Sequence, residues 1–222
     1  MKILILGATG RTGQQILKEA LSNGFKISCL VRSSGKLKDF KDNPNVEIHQ
    51  GTPANIEDLR VALNGCDAIL SALNISRKSD FPWSSLRTPK TLLSDVMQHI
   101  ITLSTSHPFE HLVVCSAWGV NETIHDIPWW FRATIRWSNI RYAYQDHARQ
   151  EELLSSVRNF KWTVVRPSGL INRTKMKPIR ISFKNEPKPF LTISRKEVAT
   201  FMLEVLSRED LWYKRPTISS SL

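Results

Sequence analysis

The feature that most constrains this fold is a run of three glycines near the N-terminus. The run Gly7-Ala8-Thr9-Gly10-Arg11-Thr12-Gly13 lies between an apolar segment, 2–6, and a segment with helical spacing, 12–22. Such a turn lets the backbone approach a phosphate closely and offers it the unpaired N–H groups of a helix N-terminus. Because strand, turn and helix follow in this order, we predict a nucleotide-binding loop rather than a glycine turn without a ligand. Its candidate residues are Gly7, Thr9, Gly10, Arg11, Thr12 and Gly13, and their spacing differs from the G-x-x-x-x-G-K-S/T of P-loop NTPases.

Apolar and amphipathic segments alternate along the chain in the pattern of an α/β fold. This alternation is typical of a parallel sheet with crossover helices. The predicted strands are 2–6, 26–31, 46–49, 67–71, 110–115 and 162–166, and the predicted helices are 12–22, 55–63, 91–103, 142–157 and 197–206. We therefore predict a doubly wound parallel sheet, the Rossmann fold, with a small C-terminal substrate-side region. We expect one domain over residues 1–222, with an aromatic insert at about 117–140 and a basic substrate-side segment at about 167–192.

The positive charge of the chain is concentrated in one late stretch. The formal net charge is +11, and residues 158–196 alone hold 11 Lys and Arg against one acidic residue, Glu186. Such a stretch can be a solvated face, an anion-binding rim, or a patch for nucleic acid or acidic lipid. Because no recognised nucleic-acid motif accompanies the charge, we predict no nucleic-acid partner. We expect Lys175, Lys177 and Arg180 to border the ligand cleft and to attract an anionic ligand.

The apolar runs and the cysteines indicate a cytoplasmic protein. No run approaches the roughly 20 apolar residues that cross a bilayer, and Met1 leads straight into an apolar strand without a signal-peptide n-region. We therefore expect no transmembrane segment and a cytoplasmic location. Cys29, Cys66 and Cys115 lie far apart, so neither a disulfide framework nor a zinc site is predicted. The histidines show no metal-binding spacing, and we predict no metal.

The end of the second predicted strand indicates which dinucleotide the loop binds. In NAD-binding folds, an acidic residue about 20 positions after the glycine turn holds the ribose 2′-hydroxyl. Arg32 occupies that place, and a guanidinium can fork onto a 2′-phosphate but cannot accept a hydrogen bond. Lys36 lies close by in sequence and adds a second charge. We therefore predict NADP(H) rather than NAD(H) as the cofactor; the alternative is that Arg32 is a solvated loop residue.

Four motifs together resemble those of one known family, the atypical short-chain dehydrogenase/reductases. They are the glycine run 7–13, Leu30-Val31-Arg32, Val114-Cys115-Ser116-Ala117 and the late run 162–169. The chain is similar in particular to the small NADPH-dependent flavin and biliverdin-IXβ reductases and to the NmrA-like proteins. The resemblance implies that the cofactor site includes, besides the loop and Arg32, the residues Thr52, Ala72, Leu73, Ser116, Pro167 and Ser168. The relatives commonly carry aspartate where this chain has Thr52, which weakens the expected adenine contact.

The chain lacks the Tyr-x-x-x-Lys pair that donates a proton in the larger superfamily. Tyr142 is followed four positions later by Asp146, and Tyr144 by Ala148. Reduction of a simple carbonyl with a tyrosine as the acid is therefore disfavoured. By resemblance, the flavin and biliverdin reductase branch also lacks this pair and relies on placing a planar acceptor against the nicotinamide.

Three residues are the candidate catalytic groups. Ser116 follows the fifth predicted strand, where we predict that its hydroxyl faces the nicotinamide and bonds an acceptor; the alternative is local backbone capping. Asp146 and His147 open the helix after the aromatic insert and are candidates for a proton relay. The alternative for Asp146 is a first-turn acid that interacts with the helix dipole.

Tryptophan is concentrated in the insert after the fifth predicted strand. Four of the seven tryptophans lie between Trp118 and Trp137. Three interpretations are open: a lid that stacks on a flat ligand, a surface that dips into a membrane interface or a partner groove, and core packing of an inserted helix. Peripheral membrane contact through this insert is therefore one hypothesis.

These features predict an NADPH-dependent reductase of a small planar molecule. Hydride passes from NADPH to a planar conjugated acceptor, a flavin or quinone-like compound, and the proton comes from water. The acceptor is anionic if the basic segment borders the cleft. The alternative is a non-catalytic NADP(H)-sensing regulator that binds a protein partner through the insert or the basic segment. A third hypothesis is nucleic-acid or membrane-surface binding through residues 158–196, and the sequence does not determine the oligomeric state.

Overall fold

A mostly parallel β-sheet forms the centre of the computed structural model, which describes residues 1–221. The strands are β1 (Lys2–Leu6), β2 (Lys26–Val31), β3 (Val46–Gln50), β4 (Ala68–Ser71), β5 (His111–Cys115), β6 (Lys161–Pro167), β7 (Gly169–Ile171), β8 (Ile179–Ser182), β9 (Thr192–Ser194) and β10 (Thr217–Ser220). Eight of them form one sheet in the order β3-β2-β1-β4-β5-β6-β10-β8, and β7 pairs with β9 separately. Only β8 runs antiparallel to its neighbour in the large sheet, β10. The predicted doubly wound α/β fold is thus confirmed.

The helices connect the strands in the manner of crossover units. They are α1 (Arg11–Ser22), α2 (Ile56–Leu63), α3 (Leu92–Leu103), α4 (Trp129–Trp137), α5 (Ile140–Ser155) and α6 (Arg195–Glu204). Local capping sets several of their starts: the Asn55 side chain accepts from two backbone N–H groups of α2, and Ser194 and Glu197 form a capping box on α6. Asn and Ser favour these positions because their side-chain oxygens satisfy the free N–H groups of the first turn.

Alternating side chains of the central strands bury two hydrophobic layers, one on each face of the sheet. Ile3 and Ile5 of β1 pack in the layer that contains α1 and α6. Leu4 and Leu6 point the other way, into the layer that contains α2, α3 and the end of α5. Because both faces are covered, the run 3–6 of β1 is apolar at every position, as expected for a buried parallel strand.

The element boundaries differ from the sequence-based prediction mainly in the second half of the chain. Strand β1 and strand β2 have the predicted bounds, and the other predicted strands agree within one or two residues. Helix α5 begins at Ile140 rather than 142, and α6 spans Arg195–Glu204 rather than 197–206. Helix α4 and the four strands β7 to β10 were not predicted. The strands among them are short and pair with distant parts of the chain, so their local sequence carries little signal.

Because the central strands are parallel, their C-terminal ends share one edge of the sheet. The loops that follow β1, β2, β4, β5 and β6 therefore come together there, on either side of the point between β1 and β4 where the strand order reverses. Ligands of open α/β sheets bind at this point. Within residues 1–221, no helix is long and apolar enough to span a bilayer.

Candidate functional site

A cleft of about 360 Å³ lies at the C-terminal ends of the central strands. Four loops and one strand supply most of its wall: the glycine turn after β1, Arg32 after β2, residues 72–80 after β4, Ser116 after β5 and Leu170 in β7. The predicted cofactor residues that line it are Gly7, Thr9, Gly10, Arg11, Thr12, Arg32, Ala72, Leu73 and Ser116. Nine of the 14 predicted cofactor residues therefore meet in this cleft.

The glycine turn leaves room where side chains would block it. Gly7 has φ +84°, and a Cβ there would lie 2.9 Å from the Ala72 carbonyl oxygen. A Cβ on Gly13 would lie 2.0 Å from the Gly7 carbonyl oxygen, so Gly13 serves close packing of helix α1 against the turn rather than lining the cleft. Gly10 is the N-cap of α1 and has no side chain to occupy the N–H groups of the first turn. This cradle fits a phosphate group of a dinucleotide.

Positive charge surrounds the same cleft. Arg11, Arg32, Arg77 and Arg195 line it, together with one carboxylate, Asp80. Arg11 holds Asp80 through two hydrogen bonds of 2.9 and 2.7 Å. Burial, and then repulsion from Arg11, lowers the pKa of Arg195 below its usual value, although a guanidinium stays charged near neutral pH. Sequence reasoning missed Arg77 and Arg195; the Ser194–Glu197 capping box marks a helix start at Arg195 but not its place at this cleft.

Two predicted cofactor residues lie beyond the cleft on the Arg32 side. Thr52 lines an adjoining pocket of about 310 Å³ that shares Arg32 and Leu73 with the cleft. Its backbone N–H donates to the Asp58 carboxylate at 2.9 Å, so helix α2 supplies an acid next to the position where relatives carry aspartate. Lys36 is exposed and lies outside the lining of both cavities.

A second cavity, of about 540 Å³, opens from the cleft on the opposite side. The two cavities share Asn74, Arg77, Ser116, His147 and Leu170. Its remaining walls are largely aromatic and aliphatic, from Trp118, Trp130, Phe131, Ile140, Tyr144, Ile171 and Leu191. Pro167 and Ser168, predicted on the cofactor, line this second cavity instead. A ligand in the glycine cleft and one in the apolar cavity would therefore meet at Ser116 and His147.

A buried network behind Ser116 fixes its hydroxyl. The Ser116 Oγ donates to Glu151 Oε1 at 2.7 Å, and Arg166 donates to both oxygens of the same carboxylate at 3.1 and 2.5 Å. Burial by itself lowers the pKa of Arg166, but its hydrogen bonds to Glu151 and Glu122 outweigh that effect and raise the pKa. Since a serine has one O–H to give, Ser116 presents only acceptor lone pairs to a ligand. The predicted hydrogen bond between Ser116 and the hydride-accepting ligand is therefore possible only where that ligand has an N–H or O–H group that donates to the Ser116 oxygen.

Asp146 and His147 occupy different surroundings. Asp146 is fully buried, and its two oxygens accept from the Leu93 N–H and the Ser94 Oγ, both at 2.6 Å. It thereby caps helix α3 from within α5, and its predicted position in the first turn of a helix was wrong because α5 begins at Ile140. His147 lines both cavities, whereas Asp146 lies outside their lining. Burial lowers the pKa of His147, with nearby Glu151 opposing that shift, so the ring is neutral near pH 7.

The two tyrosines of α5 also differ. Tyr144 lines the second cavity, donates to the Trp118 carbonyl at 3.3 Å, and has its pKa raised by burial. Tyr142 accepts from Arg141 at 2.9 Å and lies under the Lys90 ammonium; the hydrogen bond from Arg141, together with the nearby Lys90, lowers the pKa of Tyr142. The sequence spacing therefore missed a cationic neighbour, Lys90. Tyr142 nevertheless lies outside the lining of both cavities.

The basic side chains of the segment 167–192 that were expected at the cleft, Lys175, Lys177 and Arg180, do not line it. Arg180 in β8 donates to the Lys188 carbonyl and lies over the Phe190 ring, while the Lys177 N–H donates to Glu197. Lys175 is exposed. The reason is topological: β8 is the outer strand of the large sheet, beyond β10, and lies away from the ends of β4 and β5. From this segment, apolar residues such as Leu170, Ile171 and Leu191 reach the second cavity instead.

The tryptophan-rich insert contains helix α4, which has a packed side and an exposed side. Ile135 packs with Trp118 and Ile127 in a small core cluster. Trp130 and Phe131 line the second cavity, while Trp129 and Trp137 are exposed. The helix therefore combines packing with cavity lining and leaves an aromatic surface uncovered.

Comparison with known proteins gives a family match over most of the chain. The model of a family described as NAD(P)H-binding matches residues 7–209. Reductase pytE of Aspergillus terreus is 24% identical over 244 residues, covering 93% of this chain and 92% of that protein. Photosystem II assembly factor Ycf39 of Trieres chinensis is 28% identical over 146 residues, covering 64% of this chain and 44% of that protein, so the chain spans less than half its length.

Solved structures share the fold at low sequence identity. Two structures of a short-chain dehydrogenase/reductase from Veillonella parvula, the second in complex with NADP, superpose with TM-scores of 0.80 and 0.79. Each is 15% identical to this chain, and each match covers 99% of this chain and 94% of the other. The predicted Rossmann fold and the predicted nicotinamide cofactor class are confirmed by the fold match and the family match respectively.

Proposed function

The chain belongs to the NAD(P)H-binding family, and we propose that it is an NADPH-dependent oxidoreductase that transfers hydride to a planar conjugated acceptor, a flavin or quinone-like compound. The observation that carries this proposal is the junction of the two cavities. The glycine cleft and the apolar cavity share Ser116 and His147. A cofactor held by one cavity and an acceptor held by the other thus come together without intervening protein.

The cleft supplies the groups that a phosphorylated dinucleotide needs. The glycine turn and the N-terminus of α1 would hold the pyrophosphate, and Arg32, exposed beyond β2, would hold a 2′-phosphate. We therefore assign NADP(H) rather than NAD(H). Bound there, NADPH supplies the hydride. Among the predicted contacts, Lys36 has the weakest support because it lies outside the cleft lining.

The second cavity suits a flat, weakly polar molecule. Its volume lies in the range of small-molecule sites, and aromatic walls such as Trp118, Trp130 and Phe131 favour stacking on a planar ring system. Arg77, at the junction, contributes a positive charge to the wall of the second cavity. Since Lys175, Lys177 and Arg180 lie elsewhere, the acceptor does not need a negative charge to be bound.

Ser116 and His147 at the junction and Tyr144 in the second cavity are poorly suited to donating a proton. Ser116 gives its hydrogen to Glu151, burial keeps His147 neutral, and burial raises the pKa of Tyr144. Acceptors whose reduction depends on a strong general acid, such as simple aldehydes, are therefore disfavoured. Flavins and quinones fit better because water can supply their proton. Asp146 and His147 would form a relay only if Asp146 left its bonds to α3.

The direct test is NADPH consumption with a panel of acceptors, run beside an NADPH binding titration. The panel contains FMN, menadione, biliverdin and propanal. We expect turnover with one or more planar acceptors and none with propanal. Tight NADPH binding without turnover on any acceptor would refute the reductase assignment.

A second candidate function is an NADP(H)-sensing regulator that binds a protein partner. The exposed aromatic side of α4 favours it, since Trp129 and Trp137 have no packing role in this chain's core. The similarity to a protein named as an assembly factor points the same way. NADPH binding that changes partner affinity, without NADPH oxidation, would favour this function over the first.

We also propose a reducing, cytoplasmic location, as the sequence suggested. Cys29, Cys66 and Cys115 are buried free thiols, and burial raises the pKa of Cys29 and Cys115 to about 12. Such thiols are unreactive and fit a compartment without disulfide formation. Imaging of the tagged full chain tests this location.

A further inference from the structure

We propose that the protein docks onto anionic lipid bilayers through an aromatic surface formed by loop 81–84 and helix α4. Five large apolar side chains are exposed on these two segments. They are Phe81 at 63%, Trp83 at 53%, Trp129 at 75%, Trp130 at 53% and Trp137 at 68%. Four of the chain's seven tryptophans are therefore more than half exposed here, although tryptophan is on average a highly buried residue.

Hydrogen bonds join the loop and the helix into one surface. The Trp83 indole N–H donates to the Trp137 carbonyl at 2.9 Å. The Asn139 backbone N–H donates to the Pro82 carbonyl at 3.0 Å, and its side-chain amide donates to the Trp83 carbonyl at 2.9 Å. Phe81 and Trp83 are themselves in contact, with ring centroids 5.3 Å apart. The exposed rings thus belong to a fixed patch and not to independent loops.

Within the two segments that carry this patch, every charged residue is positive; Asp80, Asp95 and Asp126 directly flank these segments, and Asp80 is paired with Arg11. Residues 81–94 and 127–145, which include the loop and the helix, contain no Asp or Glu and five basic residues, namely Arg87, Lys90, Arg132, Arg136 and Arg141. The Arg136 guanidinium lies 5.3 Å from the centre of the Trp137 ring. The partner that complements this surface is therefore apolar and negatively charged at once.

An anionic bilayer combines these two properties. Tryptophan rings favour the headgroup level of membranes, and arginines are attracted to acidic lipid headgroups. A second copy of the chain fits less well, because a two-fold contact through this patch would bring the Arg132 and Arg136 side chains of both copies together. An acidic protein partner remains a distinguishable outcome of the test below.

The patch lies beside the proposed acceptor cavity. Trp130 is exposed on the patch and also lines that cavity, next to Phe131. An acceptor dissolved in the bilayer would enter the cavity directly from the docked surface. This consequence rests on the proposed reductase function, whereas docking itself does not.

The test is co-sedimentation of the full chain with vesicles, read together with tryptophan emission. We expect binding and a blue shift with vesicles of equal parts phosphatidylcholine and phosphatidylglycerol, and much weaker binding with phosphatidylcholine alone. Because each lost basic residue weakens attraction to acidic lipid several-fold, R132Q/R136Q should bind at least about tenfold more weakly. W129Q/W137Q should lose the blue shift and most of the binding. All four positions lie outside the proposed cofactor cleft, and circular dichroism checks that each variant is folded.

The matched control removes the same charge from the basic segment. K175Q/K188Q changes two exposed lysines outside the patch, and its vesicle binding should stay within about twofold of the parent chain. Equal losses in the control and in R132Q/R136Q would overturn the proposal, as would absence of vesicle binding. Binding of polyglutamate as tight as binding of the vesicles would also overturn the proposal, because it would assign the patch to an acidic protein partner. A concentration-dependent dimer without vesicle binding would overturn it as well. Vesicle binding by a chain that oxidises no NADPH would uphold docking and refute the reductase.

Discussion

The Ser116 hydroxyl donates its hydrogen to Glu151 Oε1 over 2.7 Å, at the place where the two cavities meet. Glu151 is in turn fixed by Arg166 and fully buried. The serine is therefore held by an ion pair on the protein side and can only accept hydrogen bonds on the ligand side. The nicotinamide carboxamide offers an N–H donor of the required kind.

Replacing Ser116 by alanine should weaken NADPH binding by about fivefold, the equivalent of one lost hydrogen bond. The midpoint of thermal unfolding should change little, because Glu151 keeps its bonds to Arg166 and Asn121. Fluorescence titration with NADPH measures the effect, and Ser22→Ala, at an exposed position of helix α1, is the matched control. Unchanged NADPH affinity in Ser116→Ala would exclude this contact.

Gly13→Ala should destabilise the protein even without cofactor, by about 2–3 kcal/mol, since its Cβ would overlap the Gly7 carbonyl. The matched control is Gly35→Ala, where the nearest heavy atom is 3.7 Å away. Urea unfolding of both apo variants measures the difference. If Gly13→Ala is as stable as the parent chain and has lost only NADPH binding, Gly13 contacts the cofactor, and the explanation by helix packing is wrong.

Arg32→Gln should change the choice between cofactors. We expect NADPH affinity to fall about tenfold or more and NADH affinity to stay within about twofold, because charge-assisted bonds to the 2′-phosphate are lost. Lys38→Gln, on an exposed neighbouring position, is the control and should change neither affinity. Equal losses of affinity for NADPH and NADH would show that Arg32 does not bind the 2′-phosphate.

Asp146→Asn should affect stability rather than turnover. The amide keeps one acceptor oxygen but turns an N–H₂ group toward the Leu93 N–H or the Ser94 hydroxyl, which we expect to cost about 1–3 kcal/mol in the free energy of unfolding. The kcat and the NADPH affinity of the folded variant should match those of the parent chain. A large fall in kcat with unchanged stability would instead restore Asp146 to the proposed proton relay.

Glu197 makes part of the stability depend on pH. Burial alone raises its pKa, but hydrogen bonds from Ser220, the Ser194 N–H, Arg173 and the Lys177 N–H prevail and lower the pKa to about 2. The carboxylate therefore contributes full stability above its unfolded pKa near 4.5, and this contribution is lost as the pH falls through about 2. Glu197→Gln should be destabilised by about 3 kcal/mol at pH 7, and the difference from the parent chain should shrink toward pH 3. Urea titrations at both pH values test this, with exposed Glu186→Gln as the control; a difference that does not vary with pH contradicts it.

The parts of the fold and site that the sequence predicted are those encoded locally. The strand, glycine turn and helix of 2–22 are continuous in the chain, and Arg32 follows the next strand directly, so spacing alone brought them together. The bonds of Asp146 to helix α3 were not predicted because its partner Leu93 is 53 residues away. The bond between Ser116 and Glu151 and the place of Arg77 in the cleft were not predicted for the same reason, because they join residues that are far apart in the sequence. The basic side chains of the segment 167–192 were expected at the cleft because their charge is visible in the sequence, whereas the pairing of β8 with β10 is not.

An isotope measurement on hydride transfer tests most directly whether the chain is an NADPH-dependent reductase. NADPH carrying deuterium on one or the other face of the nicotinamide C4 is oxidised by the full chain with menadione as acceptor. Because the cleft would hold the cofactor in one orientation toward the shared residues Ser116 and His147, we expect oxidation with a primary isotope effect for one labelled face only. Absence of NADPH oxidation with either label, despite saturating NADPH binding, would contradict it.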